Sequence, residues 1–168
     1  MTDQSSGLDA EQDRQARIDL IRTYWDALMS ADLVTFRSLL APDAVIHYPG
    51  QNYLSGDYTT TDDIVELYRQ LCQFIQDGVF VGEVLDITIG DKYTTVILEY
   101  DLHLPVKTLH GRATGLFLLD DSYRIKEYWL HEWNQVMMNR MLRATRLSKP
   151  FMGPINALVN RFKKDDKL

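Results

Sequence analysis

Apolar residues recur at helical spacing three times along the chain before the pattern changes to alternation near residue 80. From about Asp13 to Ala31, Ile18, Ile21, Trp25 and Leu28 lie three or four positions apart, with Tyr24 beside them, and predict a first helix. Leu33, Phe36 and Leu40 share one side of a short second helix over Leu33–Leu40. Pro42 ends it by disfavouring helical geometry at Ala41. The third stripe is the most regular: Ile64, Leu67, Tyr68, Leu71, Cys72 and Ile75, with capping oxygens at Thr59–Thr61 and Gly78 suited to the C-terminus. Between the second and third helices a short strand, Ala44 to Tyr48, precedes a loop rich in Pro, Gly, Asn and Ser.

After Gly78 the period is two. Phe80–Ile89 and Tyr93–Leu104 read as strands joined by a hairpin turn at Gly90-Asp91. Lys107–Leu119 and Tyr123–Trp133 follow, separated by Asp120-Asp121-Ser122. Three helices, one early strand and a four-strand meander make an α+β arrangement. A strongly curved, mainly antiparallel sheet wrapped around those helices would leave a conical hollow. Residues 1–12 read as a flexible leader, 13–134 as the cone domain and 135–168 as a basic amphipathic tail. In the tail, Val136–Thr145 reads as helical, and Ile155, Leu158, Val159 and Phe162 form a stripe fit for a lid over the pocket mouth or an interface.

Composition narrows the classes. A chain of 168 residues with 45% hydrophobic and 25% charged content suits one globular domain. The net charge of -6 argues against nucleic acid as a partner. It is unevenly placed: residues 143–168 carry a net +5, which could dock on the acidic body or make weak contact with an anionic membrane surface. A single cysteine, Cys72, leaves no internal disulfide, and the polar, acidic N-terminus is unlike a secretory signal. These features give a cytoplasmic expectation. Four histidines without H-x-H or H-E-x-x-H spacing point to no metal, and no dinucleotide or phosphate-loop fingerprint implies a cofactor.

Chemistry-bearing residues then fall into rows. Glu99, Asp101 and His103 share one face of their strand and Val96, Leu98, Tyr100 and Leu102 the other. The charged row is either an acid–base wall or the solvated side of a half-buried sheet. His110, Arg112 and Thr114 oppose Gly111, Ala113, Gly115 and Phe117, where small residues leave room for a ligand or let the sheet bend. Arg112, if inward, would hold an anionic oxygen. Trp129, His131 and Trp133 oppose Tyr128, Leu130 and Glu132. Tyr24, Tyr48, Tyr53 and Tyr58 are candidate pocket hydroxyls, or simply packed rings. His47 and Tyr48 point to opposite faces of an ideal strand, so one of them faces the hollow.

The run TYWDALMSADLVTFRSLLAPDAVIHYPG, followed by LSGDY and later YRIKEYW, resembles the SnoaL-like group of the nuclear transport factor 2-like superfamily. The resemblance covers about Ile18 to Trp133. It implies a cone-shaped α+β fold, often dimeric, with a deep pocket for apolar, ring-forming small molecules and no metal or organic cofactor. Ketosteroid isomerases in that superfamily keep a tyrosine eight residues before an aspartate, as Tyr24 precedes Asp32. Their two catalytic aspartates fall on Tyr48 and Gly115, so the Asp-base mechanism does not transfer. The same match puts the face bearing Gly115 inward. Scytalone dehydratases have a tyrosine at the position of Tyr48, but their catalytic histidines have no counterpart. SnoaL cyclases and epoxide hydrolases place an acid close after the last-strand Trp. Here Leu130 follows Trp129, so either a shift of register puts His131 or Glu132 into that role or the role is vacant.

The expectation is therefore a homodimeric cyclase, isomerase or dehydratase acting by acid–base catalysis on a hydrophobic polyketide- or terpenoid-like molecule. The alternative is a ligand-binding or interaction module with the same cone. Tyr24, Tyr48, Asp101, His103, His131 and Glu132 are the catalytic candidates. His47, Tyr53, Tyr58, Tyr100, Arg112, Gly115, Phe117, Tyr128 and Trp129 are the ligand-binding candidates.

Overall fold

The computed structural model describes residues 3–104 and 107–143, with side chains from residue 9 onward. The elements run α1 (Asp3–Ser30), α2 (Leu33–Ser38), β1 (Leu40–Tyr48), β2 (Gly56–Tyr58), α3 (Thr61–Gln76), β3 (Phe80–Ile89), β4 (Tyr93–Leu104), β5 (Lys107–Leu119) and β6 (Ile125–Glu132). A further helix, α4, runs from residue 135 to 143. The stripe Ile155–Phe162 lies outside the described residues, as does the segment around it.

Among the described residues six strands form one sheet, in the order β2-β1-β6-β5-β4-β3. All pairings are antiparallel except β1 with β6, which is parallel because the chain has crossed the whole domain between them. The concave face holds α1 and α3. The core between the layers contains Ile21, Tyr24, Phe36, Ile46, Ile64, Leu67, Tyr68, Leu102, Phe117, Ile125 and Tyr128, all buried. Alternation decides each strand's facing: Leu102 and Phe117 are buried while His103 and Arg112 are exposed.

Four boundaries differ from the sequence expectation, each for a local reason. Helix α1 begins at Asp3, where a leader was expected, because residues 8–17 supply Leu, Ala, Gln and Arg, and Asp9, Glu11 and Asp13 suit its N-terminal half. Helix α2 stops at Ser38 and β1 starts at Leu40, since Pro42 can sit in a strand where the register shifts. Residues Gly56–Tyr58, read as loop, pair as β2 with Ile46–Tyr48. The last strand is shorter than expected because Tyr123 has φ +54 and closes the preceding turn on Asp120.

The caps are conventional. Asp32 accepts from the backbone of Val34 and Thr35 at the start of α2, and Thr60 accepts from Asp63 at the start of α3. Gly78 follows α3 with φ +68, a left-handed conformation that glycine adopts without a Cβ penalty.

Candidate functional site

A cavity of about 100 Å³ lies between the concave sheet face and helices α1 and α3. Its walls are mostly apolar and aromatic: Trp25 and Leu28 from α1, Leu71 and Phe74 from α3, Phe80 from β3, and Leu98 and Leu102 from β4. The polar groups that reach it are the phenols of Tyr24, Tyr48, Tyr68, Tyr100 and Tyr128 and one carboxyl group, Glu132. The inward row of β6 is thus Tyr128, Leu130 and Glu132.

Burial sets the protonation of these groups. Desolvation holds Glu132 above the usual carboxylate range; Tyr100 and the backbone N–H groups of Asn134 and Trp133 pull it partly back. The Asn134 N–H donates to Glu132 Oε1 at 3.3 Å. Tyr48 is raised by burial first, then by the charge of Glu132. Tyr100 is raised by burial first, then by its contact with the Glu132 carboxyl group and by that group's charge. Tyr24, Tyr68 and Tyr128 are held well above the ordinary phenol value by burial and by one another. All five phenols therefore stay protonated through the physiological range and can donate hydrogen bonds. Tyr24 and Tyr68 already share one, with their hydroxyl oxygens 2.6 Å apart.

The aromatic supports explain why these hydroxyls point where they do. Phe36 stacks on Tyr68 with centroids 3.9 Å apart, and Phe117 packs on Tyr128 at 4.5 Å and edge-on to Tyr24 at 5.2 Å. Tyr100 lies across the strand from Gly111 and its ring covers that glycine, so closely that a Cβ at 111 would overlap it. The space left by Gly111 is filled by Tyr100 and is not available to a ligand. Gly111→Ala is expected to cost about 1–3 kcal/mol, the usual range for an overpacked site. It would also turn Tyr100 from Glu132 and so raise the carboxyl group's pKa further. Denaturant unfolding and the pH dependence of ligand binding together check both effects.

Helix α4 forms one wall of the cavity. Met138, Met141 and Leu142 line it from above. Asn139 ties the helix to the loop after β1: its Oδ1 accepts from the Gln51 N–H at 3.0 Å, from Asn52 Nδ2 at 2.9 Å and from Gln135 Nε2 at 3.1 Å. Arg143 donates to the Gln51 carbonyl through Nη2 at 2.9 Å and Nε at 3.2 Å. Gly50, at φ +101, is where the backbone passes closest, and a Cβ there would strike Gln135 and Asn139.

The remaining candidates lie elsewhere. Asp101 and His103 belong to the outer row of β4, because the apolar row Leu98–Tyr100–Leu102 takes the concave face; Asp101 pairs with His110, and His103 meets Thr108. Arg112 is on the same outer face, bound to Glu99 at 3.1 Å. His131 is exposed beside Thr114 on β5. The outer face therefore takes three of the six proposed catalytic residues, and among the described residues Glu132 alone brings a carboxyl group to the cavity. Gly115 and Phe117 do face inward but border a narrow seam beside the cavity. Tyr53 is half-buried, with its hydroxyl oxygen shielded, and does not line the cavity, and Tyr58 donates to the Leu54 carbonyl at 2.8 Å. Tyr68 was legible only as one position in the apolar stripe of α3, and Trp25 only as one in α1. Met138 and Met141 were legible as apolar positions of the helix expected over Val136–Thr145, while their place on the cavity wall comes from packing. Among the described residues no three His, Cys, Asp or Glu side chains converge as a metal site.

His47 and Trp129 also face outward and form a separate feature. The imidazole stacks on the indole at 5.1 Å and lies between Asp57 Oδ1, 2.8 Å from Nδ1, and Glu127 Oε1, 2.9 Å from Nε2. Partial burial alone would lower its pKa, but the two carboxylates outweigh this and hold it above the ordinary value. A raised histidine contributes stability that is complete below the unfolded pKa of about 6.5 and is lost as pH rises through the folded value. His47→Gln is therefore expected to remove a fall in melting temperature that the native chain shows on going from acid to mildly alkaline pH. Melting curves taken across that range would read it directly.

A curved sheet closing on α1 and α3, with a cavity between, is the nuclear transport factor 2-like fold, and comparison with solved structures agrees. Bal32a, from a soil-derived mobile gene cassette, superposes with a TM-score of 0.67 at 18% identity, covering 76% of this chain and 97% of its own. An NTF2-like protein of unknown function from Burkholderia pseudomallei gives 0.64 at 14%, covering 76% and 97%. SalBIII, an epoxide hydrolase/cyclase-like enzyme with a role in pyran ring formation in the polyether salinomycin, gives 0.59 at 15%, covering 72% and 93%. At these identities the likeness is one of fold. No family model and no curated protein matches the sequence. No helix among the described residues is long and apolar enough to cross a membrane.

Proposed function

We propose that this chain is a cofactor-independent cyclase, isomerase or dehydratase that moves a proton within a hydrophobic, polyketide- or terpenoid-like small molecule. One observation carries the reading: among the described residues a single carboxyl group, Glu132, lines an otherwise apolar cavity furnished with phenols. A carboxyl group whose pKa burial raises above the ordinary carboxylate range is a stronger base than a solvated one and can return the proton it takes. In its ionised form Glu132 removes a proton beside a carbonyl or hydroxyl of the bound molecule. Tyr48 and the Tyr24–Tyr68 pair donate hydrogen bonds to the oxygen on which negative charge builds. The protonated Glu132 then delivers the proton to carbon, to a departing hydroxyl or to the alkoxide oxygen that ring closure leaves on the attacked group. Tyr100 beside it limits how far its pKa rises. The apolar walls and α4 keep water from the carbanion-like centre.

Two proteins of the same fold have names in keeping with this: SalBIII, and a putative polyketide cyclase from Sinorhizobium meliloti. The test is to incubate the purified chain with linear poly-β-ketone mimics, epoxy alcohols and β-hydroxy ketones and to follow isomers and cyclic or dehydrated products by mass spectrometry and chromatography. The reading expects conversion whose rate rises with pH as Glu132 ionises. Tight binding across the panel with no conversion of any member would assign the cavity to a ligand-binding module.

A further inference from the structure

Beyond Leu98 and Tyr128 the cavity adjoins a second, narrower void. This seam, of about 10 Å³, is walled by Ile21, Trp25, Val84, Val96, Leu98 and Phe117, with Gly115 at its floor. Past Ile21 and Val84 it adjoins a third space, a groove of about 490 Å³ between α1 and β3 that reaches the surface. Trp25 forms part of the wall of all three.

We propose that the groove and seam are a subsite for the unbranched apolar tail of the molecule whose reacting end sits at Glu132. The substrate is then an amphiphile: a compact, oxygen-bearing, ring-forming head matched to the cavity of about 100 Å³, and an alkyl or polyene chain leaving past Trp25. This rests on the cavity being the ligand site.

Three features of the molecule lead there. The seam is lined by apolar side chains and by the rings of Tyr24 and Tyr128, so confined water finds few partners there, while a methylene chain needs none and has a narrow cross-section. β3 is the outermost strand, hydrogen-bonded on one side to β4 alone, so its spacing from α1 is held by side-chain packing and can adjust. At Leu85 the β3–β4 register slips by one residue, which bends β3 beside the groove and leaves the Leu85 side chain 44% exposed on its rim. The rim also carries Arg22, Asp26 and Asp86, which would meet solvent or a polar chain end rather than the tail itself.

Isothermal titration of the full chain with 4-alkylphenols, from methyl to octyl, tests this without requiring turnover. The expected result is an affinity that climbs about two- to fourfold per methylene beyond the first few carbons, as for apolar surface leaving water. Val84→Phe, which narrows the seam outside the cavity, should flatten that climb and leave 4-methylphenol binding unchanged. Ile87→Phe narrows only the groove and should flatten it for the longest chains alone. A climb identical in the native chain and both variants overturns the subsite, as does no climb at all with 4-methylphenol still bound. Either result leaves the acid–base reading of Glu132 intact. Binding of none of the phenols overturns both. A climb that appears only after removal of residues 144–168 assigns the groove to that segment instead and also overturns the proposal.

Discussion

Glu132→Gln is expected to lower turnover by about 10²–10⁴-fold, the usual contribution of a positioned acid–base group, while making the folded chain more resistant to heat. The two effects have one cause. Removing water from the Glu132 carboxyl group penalises its charged form and lifts its pKa above the ordinary value. Between the unfolded and the folded pKa the native state holds a proton that the unfolded state has lost. Stability therefore falls as pH rises through that window and stays lower above it. Glutamine keeps the shape and the contact with Tyr100 but cannot ionise, so it escapes the penalty. The melting temperatures of the two proteins should coincide at low pH, separate upward from about pH 4.5 and then run parallel. Ligand affinity should change little. A variant that loses activity and stability together at neutral pH would mean that Glu132 is a structural carboxylate, and the proposed mechanism would fall.

Phe36→Ala is expected to have the largest effect on the fold, about 3–5 kcal/mol. Phe36 is 1% exposed, on a helix of only six residues. That helix has little stability of its own, so its position depends on this ring. The ring also lies flat on Tyr68 and tilted against Tyr24, the two residues that share the hydroxyl contact at the cavity wall. Since a domain is stable by only about 5–15 kcal/mol, the loss is a large part of the whole. Denaturant unfolding should show a lower midpoint with an unchanged slope, and Phe36→Leu should recover most of the difference. A loss below about 1 kcal/mol would show that α2 is held by its caps and not by Phe36.

Much of the architecture was legible because helices and strands imprint different periods. The stripe Ile64–Ile75 and the alternation of β3, β4 and β5 match the observed elements closely. Elements whose existence depends on a distant partner were not legible. β2 has three residues and forms only because β1 offers an edge. Pro42 ends a helix in local terms, yet it sits inside β1 because a register shift there needs no hydrogen bond from it.

The site divides in the same way. From the sequence came the candidates: Tyr24 on the first helix, Tyr48 at the strand-loop motif, Glu132 as one of two residues offered for the acid's role after Trp129, and the two alternative faces of β4. Period two says which residues share a face, but it cannot say which face a curved sheet turns inward where both rows carry plausible chemistry. Packing made that choice. Trp129, His131 and Arg112 went outward to ring stacking, solvent and ion pairs, and Tyr128, Tyr100 and Glu132 went inward. The roof of Met138, Met141 and Leu142 likewise depends on the grip of Asn139 and Arg143 on a loop almost ninety residues earlier, a contact between segments whose local patterns are independent.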